Sequence, residues 1–212
     1  MTGLRQKQKA DRTHRILQAA SALFRQGGYA AARIGDIAAA AQVSVGTFYN
    51  YFDSKGDVLL AIVTMEVEEV VTAGQALIAH PPASVALALN RLIDSYVDHA
   101  LTYLSKEMWR IAMALSIEHP GSPFSARFTR LDALLTDQVC ALIAEMQRRG
   151  QARGDVNARD IGEVVFNNLN MMFIEFVKSE PMALADLQAA VARQTAPLAA
   201  LLASPPPPVL PG

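Results

Sequence analysis

The stretch between Ile34 and Lys55 reads IGDIAAAAQVSVGTFYNYFDSK and constrains the fold of this chain more than any other. Its first half is an Ala-rich apolar run with helical spacing, which predicts a short helix. Ser44 then offers a side-chain oxygen to cap a second helix that begins almost at once. Two helices joined by so short a turn must cross steeply. The stretch therefore predicts a helix-turn-helix of the kind that enters DNA.

The second helix of this motif separates inward apolar side chains from outward ones. Val43 and Phe48 have the spacing to pack inward. Asn50 is the strongest candidate for reading a base, because its amide can bond adenine twice, with roughly 1 to 3 kcal/mol of discrimination. Val45 can meet a thymine methyl group. Packing under the turn remains the alternative for Tyr49 and Tyr51. For Asn50 the alternative is exposure to solvent without a contact to DNA. The residues predicted to face outward are Val45, Gly46, Thr47, Tyr49, Asn50 and Tyr51.

The net charge of the chain is −1, but the charges are divided unevenly along it. Residues 1–55 hold eight bases and three acids, a net charge of +5, whereas the remainder holds eleven bases and seventeen acids, a net charge of −6. A basic end on an acidic body favours contact of that end with a polyanion. Next to a helix-turn-helix, this division predicts that the polyanion is DNA.

Several basic residues of this end have predicted roles. Lys55 stands at the start of the helix after the motif, where exposed backbone N–H groups favour anions, and is predicted to clamp a phosphate. Arg33, just before the motif, is predicted to be a second clamp. An arm formed by Lys7, Lys9 and Arg12 is predicted to follow the DNA backbone or a minor groove.

The residues VSVGTFYNYFDSK, preceded by DIAAAA, closely resemble the DNA-binding signature of the TetR family of bacterial transcription regulators. The resemblance covers about the first quarter of the chain. It implies phosphate contacts for the residues at the positions of Thr47, Tyr49 and Tyr51. It implies places nearest the bases for Val45, Gly46 and Asn50.

Two positions depart from the family pattern. Position 42, which often holds glycine at the end of the motif's first helix, holds Gln42 here. If the family geometry is kept, Gln42 adopts a left-handed conformation at a cost of about 1 kcal/mol. The start of that helix, which often holds Thr or Ser, holds Arg33.

Helical periodicity continues through most of the chain, and no segment has convincing strand periodicity. The predicted fold is all-α, with a three-helix amino-terminal helix-turn-helix module and a larger helical body. The predicted domains are 1–53 for DNA binding, 54–203 for effector binding and dimerisation, and a flexible Pro-rich tail at 204–212. Pro197 is expected to kink the last helix or end it early. The predicted helices cover about residues 11–26, 34–41, 45–51, 54–79, 84–104, 106–118, 123–149, 158–178 and 183–202.

One short recognition helix buries too little surface for tight and specific binding. A homodimer that places two such helices about 34 Å apart on a pseudo-palindromic operator is therefore expected. The last two predicted helices are the candidates for the dimer interface, because their apolar residues cover too much of their surface for packing on one side only. In the TetR family the corresponding helices of two subunits form a four-helix interface. Packing within the monomer core is the alternative. The residues predicted for the interface are Val165, Leu169, Met172, Phe176, Leu187, Val191 and Leu198.

The family resemblance also implies a small-molecule effector pocket among the helices of the body. Aromatic and Met side chains with a few amides usually line a pocket for an apolar or aromatic molecule. His99 and Trp109 are favoured, because a buried imidazole or indole N–H needs a partner that a ligand can provide. Ordinary core packing is the alternative for each residue. The residues predicted for the pocket are Tyr96, His99, Tyr103, Trp109, Met113, Phe128, Asn167, Asn170 and Met171.

Other functional classes lack support in the sequence. The four histidines are scattered, and no motif for a catalytic nucleophile, a phosphate loop or a metal cluster is present, so neither an enzyme nor a cofactor or metal site is predicted. Cys140 is the sole cysteine and is predicted to be a small buried hydrophobic residue. The polar, basic start of the chain and the lack of a long apolar window predict a cytoplasmic protein.

The predicted function is a TetR-type transcriptional regulator, most simply a repressor, that binds an operator as a homodimer and is released by a small effector. A ligand-independent repressor or activator is the alternative, followed by a helical accessory protein that does not bind DNA. The identity of the effector, the operator sequence and the regulated genes do not follow from the sequence.

Overall fold

The computed structural model describes residues 2–203, except for the side chains of Thr2, Leu4 and Arg5. The predicted Pro-rich tail at 204–212 lies outside the described residues. Between residues 2 and 203 the chain forms α-helices joined by turns and no strand, apart from one isolated bridge between Ala152 and Ala203. The all-α prediction is confirmed. The helices are α1 (Thr2–Gly27), α2 (Ile34–Ala40), α3 (Val45–Tyr49), α4 (Lys55–Ala79), α5 (Val85–His99), α6 (Lys106–Glu118), α7 (Pro123–Arg148), α8 (Ala158–Lys178) and α9 (Leu184–Leu202).

The first helix is longer than its apolar periodicity predicted. It begins at Thr2 rather than near Asp11. The added turns contain mainly Lys, Gln and Arg, which are good helix formers, and neither Gly nor Pro occurs between Leu4 and Gln26. Helix propensity therefore extends α1 beyond the part that is buried.

The fifth helix is shorter than predicted and ends at His99 instead of Leu104. The carbonyl oxygens of Ala100, Thr102 and Tyr103 accept hydrogen bonds from side chains of α6 and α1. These carbonyls are thus satisfied without a further helical turn, which is a sufficient reason for the helix to stop.

The ninth helix continues through Pro197 to Leu202, so the expectation of an early end is wrong. Proline removes one backbone donor from a helix and crowds the preceding turn. Pro197 lies on the exposed side of α9, where water can solvate the carbonyl that loses its partner.

The described chain forms two compact units, each with its own core. The first unit contains the chain up to Val67 together with Ala100–Leu131, and its fully buried side chains include Phe24 and Phe48. The second contains Glu68–His99 and the chain from Asp132 onward, where α9 packs against α5 and α8. The predicted division by role at residue 53 stays a prediction.

Within the part of the chain that the structure covers, no helix is both long enough and apolar enough to cross a membrane.

Candidate nucleic-acid interface

A small apolar core in the first unit fixes the helix-turn-helix. The ring of Phe48, on α3, is fully buried and meets Phe52 at a centroid distance of 5.9 Å. Ile37 and Ala38, on α2, are also buried. Burial of a Phe side chain contributes roughly 1.5 to 3 kcal/mol. This burial holds the short α3 against α2, since a helix of five residues has little stability of its own.

The turn between α2 and α3 has the geometry that the family pattern implied. Gln42 has a φ of 57°, its N–H donates to the Ala39 carbonyl at 3.0 Å, and the Val43 N–H donates to the Ala38 carbonyl at 2.9 Å. This pair of hydrogen bonds is the Schellman ending of a helix. From α1, Arg15 donates to the Ala41 carbonyl at 3.2 Å and so holds the same helix end. The left-handed prediction for Gln42 is confirmed.

We expect Gln42→Gly to raise the free energy of unfolding by about 1 kcal/mol, because glycine adopts a positive φ without the steric cost that a side chain carries. Thermal unfolding of the full chain measures the change. Gln42→Ala keeps a Cβ and removes the rest of the side chain, so it should leave the stability nearly unchanged. A Gly variant less stable than the Ala variant would contradict the strain.

The start of α3 is capped as the sequence predicted. Ser44 has an extended backbone, and its Oγ accepts a hydrogen bond from the Thr47 N–H at 3.0 Å. The hydroxyl groups of Ser44 and Thr47 also lie 2.8 Å apart and share a hydrogen bond. An N-cap of this kind stabilises a helix by about 1 kcal/mol. The cap therefore fixes the first turn of α3, where a recognition helix meets base edges.

Four of the six residues that the sequence predicted to face outward from α3 are exposed. Val45 and Tyr49 are large side chains with 46% and 50% of their surface exposed, and Gly46 and Asn50 are also exposed. Tyr49 touches the buried Phe48 ring edge-on at 5.7 Å. Thr47 and Tyr51, which complete the predicted set, are half-buried. Asn50 is the C-cap of α3 rather than part of its last turn.

The Lys and Arg residues of segment 6–55, which lies in the first unit, divide into two groups. Arg15, Arg25 and Lys55 donate to backbone carbonyls of their own unit. The others are exposed to solvent and are Lys7, Lys9, Arg12 and Arg33. Part of the positive charge counted from the sequence thus stabilises the fold, and the exposed part is available for phosphates.

The predicted phosphate clamp at Lys55 needs a correction. Its ammonium donates to the carbonyls of Tyr29, Ala30 and Ala32 at 2.9, 3.2 and 2.9 Å. It also lies 4.8 Å from the centre of the Tyr29 ring. An ammonium has three donor hydrogens, and all three are used here. In this conformation none is left for a phosphate.

The polar groups predicted to need an effector have partners within the protein. The Trp109 indole N–H donates to the Ala100 carbonyl at 2.7 Å, and His99 Nε2 lies 3.2 Å from a Glu69 carboxylate oxygen. Since both side chains have internal partners, neither needs a ligand to satisfy it, and the reason for favouring His99 and Trp109 as pocket residues no longer applies. Their partners lie far away in sequence or in irregular backbone, which periodicity does not reveal.

Tyr96 is also satisfied internally, in a polar network of the second unit. Its hydroxyl donates to Gln138 Oε1 at 2.7 Å, and Gln138 Nε2 donates to the Val71 carbonyl at 2.6 Å. Burial raises the pKa of the Tyr96 hydroxyl, so it stays protonated and remains a donor. The Gln138 amide packs directly on Gly74, where a Cβ would lie 2.6 Å from its oxygen. Sequence analysis missed Gln138 and Gly74, which join α4, α5 and α7.

The remaining predicted pocket residues have different environments. Phe128 is buried, whereas Tyr103 and Met113 are partly exposed in the first unit. Tyr103 lines a surface groove of about 510 Å³ whose other lining residues belong to α1 and include Ser21 and Arg25. That groove was not predicted.

The face of α8 that was predicted to line the pocket is largely exposed, and the face that was predicted to form the dimer interface is largely buried. Asn167 and Met171, predicted for the pocket, are exposed, with Met171 57% accessible, and Asn170 is partly exposed. The predicted interface residues that are buried in the second unit's own core are Val165, Leu169, Phe176, Leu187 and Val191. Met172 and Leu198 are partly exposed. The five buried residues cannot contact a second chain, because burial within one subunit already covers them.

Residues 16–62 match the model of the family described as bacterial regulatory proteins, tetR family. The chain is also 36% identical over 91 residues to the HTH-type transcriptional repressor KstR of Rhodococcus jostii (strain RHA1). That match covers 43% of this chain and 41% of the repressor, so it spans about two fifths of the length of its relative. The segment matched by the family model contains α2 and α3, the helix-turn-helix described above.

Solved structures resemble the chain over most of its length. A protein of Mesorhizobium loti MAFF303099 described as a TetR-family transcriptional regulator has a TM-score of 0.71 and 19% identity, over 92% of this chain and 98% of that one. Thermus thermophilus FadR, a TetR-family repressor in complex with lauroyl-CoA, has a TM-score of 0.65 and 21% identity, over 94% of this chain and all of its own. At these identities the likeness shows the fold alone.

Proposed function

Since this chain belongs to the tetR family of bacterial regulatory proteins through residues 16–62, we propose that it is a transcriptional regulator that binds an operator as a homodimer. The observation that carries the proposal is the outward face of α3. A capped short helix presents Val45, Gly46, Tyr49 and Asn50 to solvent, while Phe48 fixes it from behind. A surface of this width and chemistry suits the major groove, which is about 12 Å wide.

Repression is the direction that the relatives support. KstR of Rhodococcus jostii and FadR of Thermus thermophilus are both repressors. A dimer bound over a promoter blocks transcription by occupying it, which requires no further chemistry from this chain. Capture of genomic fragments from the source organism by the full chain tests the DNA-binding part. No enrichment of any fragment over input at low salt would refute it.

Dimerisation is proposed through the outward faces of α8 and α9. On α8, Val164 and Met171 are large apolar side chains with at least half their surface exposed. On α9, Leu201 is 66% exposed, and Ala196, Pro197 and Ala200 are exposed as well. Pairing of these faces with the same faces of a second copy would remove this apolar surface from water. Met171→Glu should then give a monomer in sedimentation experiments, with Asn167→Glu, one turn earlier, weakening the dimer as well.

Release by a small apolar or aromatic effector is the finer part of the proposal. FadR of Thermus thermophilus, which shares the fold, is in complex with lauroyl-CoA. The effector must bind the conformation that does not fit DNA more tightly than the one that does. Titration of acyl-CoA esters and free fatty acids into the protein–DNA complex tests this step, and dissociation by one of them would support it.

A ligand-independent repressor is the second candidate, and one observation favours it. The polar side chains of Tyr96 and Trp109 already have internal hydrogen-bond partners. Buried polar side chains that are hydrogen-bonded within the protein do not need a ligand to satisfy them. If no compound releases the captured fragments and the protein still dimerises, this candidate replaces the effector-released one.

We expect Gly46→Ala to separate stability from DNA binding. A Cβ on Gly46 would meet only the Ser44 Oγ, at 3.9 Å, so the fold tolerates it, and alanine in a helix is more stable than glycine by roughly 0.5 to 1 kcal/mol. If the backbone at Gly46 approaches the bases, the added methyl group must weaken operator binding. Thermal unfolding and operator titration of one preparation measure both effects. Unchanged operator affinity would remove Gly46 from the interface.

A further inference from the structure

Building on the proposed DNA binding, we infer that Lys55 and Glu107 are positioning residues that hold the loop between α1 and α2, and through it the angle of α3. This role does not require Lys55 or Glu107 to contact DNA. Residues 28–33 form the loop, and α2 follows it directly at Ile34. A shift of the loop therefore shifts the start of α2, which packs against α3.

Lys55 holds the loop from α4. Its ammonium bonds the carbonyls of Tyr29, Ala30 and Ala32, which converge on it within 3.2 Å. These carbonyls belong to irregular backbone and would otherwise depend on water. A compact ammonium with three donors fits three converging acceptors, whereas the planar guanidinium of arginine does not.

Glu107 holds the same loop from the first turn of α6. One of its carboxylate oxygens accepts a hydrogen bond from the Tyr29 N–H at 3.2 Å. The same carboxylate lies against Gly28, which has a φ of +82° and where a Cβ would be 3.4 Å from the nearer oxygen. The Tyr29 residue is thus bonded through its N–H to α6 and through its carbonyl to α4. These two bonds fix the peptide groups on both sides of one residue.

The positioning role and the phosphate clamp predict different salt dependence. Each phosphate contact contributes about 0.9 to the slope of log affinity against log salt concentration. Loss of a clamp lowers that slope, while loss of a positioning residue weakens binding with the slope unchanged. Glu107 gives a sharper distinction, since removal of a negative charge should strengthen DNA binding if only electrostatics mattered.

The experiment compares four single variants of the full chain on a 40-base-pair duplex taken from the captured genomic fragments. Lys55→Met and Glu107→Ala should each weaken binding at least fivefold at every salt concentration without changing the slope. Lys55→Arg, which keeps the charge, should weaken binding as well. Arg33→Met, which removes one exposed charge from the same unit, is the matched control and should lower the slope by about 0.9 per subunit.

Hydrogen exchange of the same proteins without DNA provides a readout that does not depend on the proposed function. The Gly28 and Tyr29 amides, which donate to the Phe24 carbonyl and the Glu107 carboxylate, should exchange at least tenfold faster in Lys55→Met and Glu107→Ala than in the unsubstituted chain and in Arg33→Met. If the chain binds no DNA but these amides respond, the proposed function fails and the loop assignment stands. Unchanged exchange, together with normal binding by Lys55→Arg and a reduced slope for Lys55→Met, would overturn the inference and restore the clamp.

Discussion

Gly162→Ala should destabilise the protein by about 2 kcal/mol, although alanine is the better helix former by roughly 0.8 to 1 kcal/mol. Gly162 lies on α8 where it crosses α7. A Cβ there would lie 2.9 Å from the Cys140 Cα and 3.0 Å from the Cys140 N, and nearer still to its Sγ. The sulfur can move, but the backbone of α7 can move only if the two helices separate. Overpacking of this kind typically costs 1 to 3 kcal/mol.

Thermal unfolding measures this effect, and about 2 kcal/mol corresponds to a fall in Tm of roughly 4 to 8 °C for a chain of this size. Gly35→Ala is the matched control, because a Cβ on Gly35 meets nothing within 4 Å, and it should raise Tm slightly. Cys140→Ala combined with Gly162→Ala should recover only part of the loss, since the backbone contacts remain. A Gly162→Ala protein as stable as the Gly35→Ala protein would contradict the close crossing of α7 and α8.

Asp132→Asn should stabilise the protein by roughly 2 to 3 kcal/mol at pH 7.5 and have little effect near pH 4. Burial raises the pKa of the Asp132 carboxyl to about 6, above its usual value of 3.8. Well below pH 3.8 the group is protonated in both the folded and the unfolded chain, so it costs little. As the pH rises toward 6 the unfolded chain releases the proton first, and the folded state loses stability. Asparagine has the same shape and never ionises.

Chemical denaturation of Asp132→Asn and the unsubstituted chain between pH 4 and pH 7.5 provides the measurement. Asp155→Asn is the control of opposite sign, because hydrogen bonds from Arg153 hold the pKa of Asp155 below its usual range. Its carboxylate is a surface group, so its substitution should lower stability only slightly at neutral pH. A difference between Asp132→Asn and the unsubstituted chain that stays constant with pH would contradict the raised pKa.

Features of the helix-turn-helix that depend on neighbours in sequence were predictable. Ser44 as an N-cap, the left-handed Gln42 and the buried Phe48 each follow from residue type and spacing within a few positions. The ends of most helices followed for the same reason, since Pro, Gly and capping residues mark them. Sequence patterns over a few residues were sufficient because these features depend on residues that are close to one another in sequence.

Features that depend on distant partners were not predictable. The three carbonyls that accept hydrogen bonds from Lys55 lie 23 to 26 positions before it in the chain. Gln138, which accepts a hydrogen bond from the Tyr96 hydroxyl, lies 42 positions after Tyr96. The side of α8 that faces the core could not be chosen from periodicity, because apolar residues occur on most of its circumference. In the structure Val165 is buried and Met171 is exposed, which shows the side of α8 that faces the core.

If the outward face of α3 reads DNA sequence, selection of bound genomic fragments will give different results for the unsubstituted chain and for Asn50→Ala. For the unsubstituted chain we expect a pseudo-palindromic motif with half-sites one helical turn or a multiple of it apart, about 34 Å per turn. Asn50→Ala should bind with relaxed preference at one position of each half-site and an unchanged salt slope. The same motif and affinity for both proteins, or no motif for either, would contradict the claim.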